Sequence, residues 1–373
     1  MQINNSVLRY ALLLILTLFF MYASTYYYYY NKSDFNNNNM AYHMSSLGGP
    51  KVSQIQSQNP NHKHWLYDYY IMSSFNSCCA GDLKNDYVDT KPLIQTISRG
   101  VRMLDFEIFQ KDGEAVVAAG LGRDAAGQCL VKGTYNSLPI VEVLESIEKY
   151  AFSNSVAPNA NDPLFLHFRF CTTKTAVYHK LTKAIKEVLG MRLLGPKLGN
   201  NGKYWTREQN MLRQKILKLK GKVIIMVSDP TGGYKNSELA ELINLSDSMP
   251  QMQLYKNYNV QFNHDIKGLI EYNKKNITVS IPDISFKIVN SFSNHKDGGI
   301  QFICVNYGTG TSDSNLAAAI NFFNEQGTAF VLKEPDKRWH DVKIKEPKEQ
   351  DKRVSMKAKD IELPGGIPNN MNI

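Results

Sequence analysis

From residue 64 onward, apolar residues fall into short runs that alternate with segments of helical period. Tyr69–Ser73, Val101–Phe109, Ala115–Ala118 and Pro163–Phe170 have the β-branched and aromatic makeup of strands. Lys91–Ser98, Pro139–Phe152, Ala176–Leu189 and Arg207–Leu219 place apolar residues three and four apart, the spacing of one helix face. Strand-like runs follow at Lys222–Val227 and Gly299–Val305, then a helical stretch Ser314–Asn324 and a short strand Ala329–Leu332. This alternation predicts a mainly parallel sheet with helical crossovers. Over roughly 280 residues a closed barrel fits at least as well as an open sheet. Residues 230–298, rich in Asn, Ser and Lys, predict weak strands and long loops.

The N-terminus has a different pattern. Ala11 to Ala23 is an unbroken apolar run, and five tyrosines, Tyr26 to Tyr30, extend it to the length a bilayer requires. Met21-Tyr22-Ala23 is a poor cleavage site, so residues 1–30 read as an uncleaved anchor that meets the lipid through residues 11–30. Arg9 on one flank, against the offsetting Lys32 and Asp34 on the other, predicts a single pass with the main domain on the extracytoplasmic or luminal side. Residues 31–60 have the composition of a flexible Asn/Ser-rich stalk, 61–335 of the barrel, and 336–373 of a mixed-charge tail.

The formal charge of +9 favours anionic surfaces but is too diffuse to indicate specific nucleic-acid binding. Five cysteines form neither a metal-type pair nor a dense disulfide framework. The sharper signal is SRGVRMLDFEIF, where Asp105 and Glu107 stand two apart in a strand and face one side. Two such acids repel unless a cation or a basic side chain lies between them. Asn76, at the end of the preceding strand, supplies a neutral oxygen. A solvent-facing pair on an edge strand is the plainer alternative.

The ordered fragments IMSSFNS, GVRMLDFEIF, AVVAAG, PLFLHFRF and GKVIIMV, with FICVNYGTG and GTAFVLKEP, resemble the X region of phosphoinositide-specific phospholipase C and the barrel elements after it. The resemblance implies an α/β fold, a distorted TIM (β/α)8 barrel of the PLC-like phosphodiesterase type, here preceded by a transmembrane helix. Active members cleave the phosphodiester of inositol phospholipids with two histidines, and animal-type members hold calcium through an Asn and acidic side chains. Carried over by position, the two histidines fall on Phe75 and Ala119, and a further acidic ligand falls on Arg169. Asp105 and Glu107 keep the acidic pair in exchanged order.

These substitutions lead to the expectation of a membrane-anchored, catalytically inactive barrel with a structural, assembly or binding role. It would suit a membrane surface or viral envelope, with anionic lipid or a protein assembly as partner. Arg169 is expected to bridge Asp105 and Glu107 in a salt-bridge cluster. Calcium then binds only if the Asn76, Asp105, Glu107 site stays open, and otherwise no cofactor is implied. Asp229, Tyr307 and Thr309 are expected to line the pocket, or else to cap and pack strand ends. The enzyme alternative is a diverged phosphoric diester hydrolase acting on inositol phospholipids or glycerophosphodiesters. It would use His167, whose side chain shares a strand face with Arg169, or His264 or His295 from loops.

Overall fold

The computed structural model describes residues 5–120, 132–206, 209–283, 291–309 and 314–340. In chain order its elements are α1 (Asn5–Ser46), β1 (Tyr69–Ser74), α2 (Thr90–Ser98), β2 (Met103–Lys111), β3 (Glu114–Ala118) and β4 (Leu138–Pro139). Then come α3 (Ile140–Ala151), β5 (Leu164–Phe170), α4 (Thr175–Leu189), β6 (Val223–Ser228), α5 (Leu239–Leu242), β7 (Leu245–Ser246) and β8 (Met252–Lys256). The last are α6 (Asn257–Gln261), α7 (Ile266–Asn273), β9 (Ile277–Ile281), α8 (Phe292–Asp297), β10 (Phe302–Val305), α9 (Ser314–Gln326) and β11 (Phe330–Leu332).

Eight strands pair in parallel in the order β7-β6-β5-β2-β1-β10-β9-β8. No ladder joins β7 to β8 among the described residues, so the barrel is distorted and nearly closed. β3 runs antiparallel to β2, β4 to β3, and β11 to β1. β1, β5 and β6 are buried along their whole length, because helices cover the outside while side chains fill the interior. Low inside the barrel, the rings of Phe165 and Phe302 meet edge to face with centroids 5.0 Å apart.

Two expectations change. Residues 31–46 are not a stalk: they continue α1, and Met40 and Met44 are buried in the main core. The polar residues that suggested a solvated linker instead bond the barrel, Asn36 to Asp86 and Asn37 to Asp89. The chain from 47 to 59 also packs down, with Ile55 buried and its amide donating to Asp162. The second change is in the expected helix Arg207–Leu219, whose described residues 209–219 form turns and a short 3-10 segment, Ile216–Leu219, instead. Here the chain pairs with residues 64–66, the Leu66 amide donating to Gln214 O and the Ile216 amide to His64 O, which pulls the backbone out of helical register. The tail beyond His340 lies outside the described residues.

Candidate functional site

Alternation along two paired strands builds the site. β2 and β5 run in parallel with Asp105 opposite His167 and Glu107 opposite Arg169, so all four side chains share the inward face. Arg169 is in turn opposite Ser228 on β6. Beyond β1 the chain turns at Asn76, whose φ of 43° is left-handed, a region that asparagine tolerates better than most residues. The turn is pinned to β2: the amides of Asn76 and Ser77 donate to Asp105 Oδ2 and Asp105 O, while the Asp105 amide donates to Ser77 Oγ.

Arg169 occupies the centre. Its Nε and Nη2 donate to the two carboxylate oxygens of Asp105 at 2.8 and 2.7 Å, Nη1 donates to Glu107 at 2.5 Å, and Nη2 also reaches Asn76 Oδ1 at 2.8 Å. The Gly120 amide completes Glu107 at 2.5 Å. All of these side chains are at most 3% exposed. Burial alone would raise the Asp105 carboxyl, but the Arg169 guanidinium and its hydrogen bonds, with the His167 ring close by, hold it well below the usual range. Burial likewise opposes the Arg169 charge, and Asp105 and Glu107 overcome it, keeping the guanidinium protonated. The Phe75 ring lies beside this cation, 4.8 Å from Cζ to centroid.

One layer deeper, His167 Nδ1 lies 2.9 Å from Asp105 Oδ1, close enough for an ion pair though not aligned as a hydrogen bond. Its Nε2 is 2.8 Å from Ser228 Oγ. This chain of carboxylate, imidazole and hydroxyl corrects the expectation of a barrel that has lost its proton-transfer groups. Phe75 and Ala119 carry no exchangeable side-chain proton, yet the site keeps an imidazole oriented by an acid. Replacement of both catalytic histidines, and the inactive protein inferred from it, therefore do not stand. Position-by-position comparison tracks where a family places its histidines, whereas an imidazole can enter the same barrel from another strand. A second intact histidine, His295, bonds Ser280 Oγ at 2.7 Å and Asn257 Oδ1 at 2.6 Å, and burial lowers its pKa to about 4. His264 is exposed on the loop between α6 and α7.

Asp229 and Tyr307 are not drawn into this cluster among the described residues. Asp229 caps a turn, accepting from the Thr231 amide and hydroxyl through Oδ1 and from the Tyr178 hydroxyl through Oδ2. Tyr307 is buried just past β10, and burial pushes its phenol up. The side chain of Thr309 lies outside the described residues. Ser228 had no assigned role in the sequence. The signal was available, since β6 alternation puts Ser228 on the face that pairs with Arg169, but which strand neighbours β5 is not written locally.

The acidic ligands of animal-type relatives raise the question of calcium. The oxygens that would turn toward such a cation, from Asn76, Asp105 and Glu107, are already turned toward Arg169. A guanidinium and a divalent cation compete for one volume and one set of lone pairs, and here the guanidinium takes both.

The fold is a distorted, nearly closed parallel barrel of the phosphatidylinositol-specific phospholipase C type. Residues 62–228 match the family model described as Phosphatidylinositol-specific phospholipase C, X domain. The chain is similar to the 1-phosphatidylinositol 4,5-bisphosphate phosphodiesterase delta-3-A of Danio rerio, with 27% identity over 172 residues, 44% of this chain and 20% of that protein. It thus spans about a fifth of the relative's length. Crystal structures of L. pealei PLC21 (TM-score 0.57, 18% identity) and S. officinalis PLC21 (TM-score 0.56, 19% identity) superpose on it. They cover 74% and 75% of this chain, and 38% of each of those chains. At these identities the likeness establishes the fold.

Proposed function

We propose that the chain is a diverged phosphoric diester hydrolase acting on inositol phospholipids or glycerophosphodiesters. The observation that carries this reading is the buried line Asp105, His167, Ser228 inside the segment that matches the X domain. Asp105 holds the Nδ1 side of the ring, and Nε2 is the atom that exchanges a proton. In the reaction a hydroxyl oxygen bonds phosphorus as the leaving alkoxide departs. His167 takes the proton of the attacking hydroxyl and returns it to the leaving oxygen.

Arg169 stands two residues nearer the C-terminal mouth than His167 on the same strand face, so a substrate meets the guanidinium first. The anionic oxygens of a diester compete with Asp105 and Glu107 for it, and drawing it outward exposes the imidazole. The cluster therefore works without calcium in this reading. The membrane partner is reached through α1, which contains a segment long and apolar enough to span a bilayer. Arg9 favours a cytoplasmic N-terminus and an extracytoplasmic barrel.

The test is headgroup release from inositol phospholipid in mixed micelles by the full chain. His167→Ala should lower the rate by about 10²- to 10⁴-fold, and Ser228→Ala by less, with both variants folded by circular dichroism. Wild-type release no higher than that of His167→Ala would overturn the proposal.

A further inference from the structure

The second half of α1 is bonded to the barrel, and those bonds fix its direction. The Tyr29 ring meets Tyr135 with centroids 6.2 Å apart, and Lys32 Nζ donates to Asn85 O at 2.6 Å. Asn36 Nδ2 donates to the Asp86 carboxylate at 2.8 Å, and Asn37 Nδ2 to Asp89 Oδ2 at 2.8 Å. Just past the helix end, Gly48 O accepts from Arg99. Asp89 is the N-cap of α2 and Arg99 its C-cap, so α1 runs beside α2 in the same direction. Since α2 leaves the C-terminal end of β1 and returns to the N-terminal end of β2, the free half of α1 projects from the mouth end of the barrel.

Length places the bilayer. Leu8 to Tyr28 is solvent-exposed save for a half-buried Ala23, and at 1.5 Å per residue it measures about 31 Å. That matches a hydrocarbon core of about 30 Å. Among the described residues, the ring contact of Tyr29 with Tyr135 of the barrel follows immediately. A segment that fills the core leaves no slack before the mouth. The mouth end also exposes aromatic side chains: Tyr135 is 48% exposed, and on α6 and at its C-cap, directly after β8, Tyr258 and Phe262 are 50% and 52% exposed with rings 4.8 Å apart. Exposed amphipathic rings suit the headgroup layer.

We propose that α1 is a rigid strut that seats the mouth of the barrel on the surface of the very bilayer it spans, so that the barrel takes lipid from its own membrane. The lipid source rests on the phosphodiester reading; the seating does not. The test uses full-length Phe262→Trp in vesicles of phosphatidylcholine brominated on its acyl chains. Wild-type protein supplies the baseline, because Trp205 and Trp339 line a cleft with Tyr67, and Trp65 adjoins it, at the opposite end of the barrel. The account predicts that most of the added emission is lost to bromine while the wild-type emission is not. Tyr258→Trp should repeat the result. A Gly-Ser linker of about eight residues, long enough for a coil to spread over roughly 15 Å, inserted between Tyr30 and Asn31 should restore most of the emission. Unquenched Phe262→Trp and Tyr258→Trp in protein whose helix is inserted would overturn the seating, and quenching that survives the linker would overturn the strut. Neither readout uses turnover, so quenching in a protein without activity would reject the hydrolase reading alone.

Discussion

Replacing Arg169 by Met keeps the stem and removes the guanidinium. The change deletes four hydrogen bonds of 2.5 to 2.8 Å and leaves Asp105 and Glu107, at most 1% exposed, without their cation. Breaking a buried ion pair on one side costs about 3–5 kcal/mol, because the surviving charge stays desolvated. The loss should depend on pH. In the wild type the Asp105 carboxyl is depressed by Arg169. Its contribution is therefore present above the unfolded value, near pH 4, and lost as pH falls through the folded one. In Arg169→Met the Asp105 carboxyl stays buried without that cation and is pushed up, so the variant becomes less stable as pH rises from about 5 to 8. Urea unfolding of both proteins in detergent, followed by circular dichroism at those two pH values, reads the effect. The triple variant Arg169→Met, Asp105→Asn, Glu107→Gln should recover much of the loss, because the buried charges go together. A single-variant cost under about 1 kcal/mol, the range of an exposed pair, or a loss that does not grow with pH, would refute the reasoning.

Calcium up to millimolar levels should leave the wild-type melting temperature unchanged, since binding to the native state alone would raise it; an upward shift that Asp105→Asn abolishes would reopen the cation site. Lys333, buried with Nζ donating to Asn273 O, has its pKa lowered by burial to about 7. The unfolded chain then binds more protons than the folded one between about pH 7 and 10, so stability rises across that window, and Lys333→Met should flatten the rise in a pH series of urea melts. Asp162 is raised by burial to about 7, so its contribution falls as pH climbs from about 4 to 7. Asp162→Asn should remove that fall, and an unchanged slope would contradict the assignment.

The barrel was legible because buried parallel strands are written as continuous apolar runs and their crossovers as amphipathic ones. Runs such as PLFLHFRF and GKVIIMV end within a residue or two of β5 and β6. The acid pair and Arg169 were legible for the same reason, since a period of two assigns faces. Long-range pairing was not legible. Nothing local says that β6 adjoins β5, and without that neighbour His167 reads as an isolated core histidine rather than as the middle of a line from Asp105 to Ser228. The polar half of α1 misled in a similar way. Asn36 and Asn37 look like linker residues until Asp86 and Asp89, some fifty positions on, are brought against them. In 209–219 the helical spacing was real, but pairing with 64–66 outweighed it.

The most direct measurement follows a water-soluble diester, glycerophosphoinositol, by phosphorus NMR in the presence of full-length protein, wild type and His167→Ala side by side. The account predicts that the diester resonance gives way to a cyclic or monoester phosphate in the wild type alone. A resonance that persists unchanged in both samples, with both proteins folded, would contradict it.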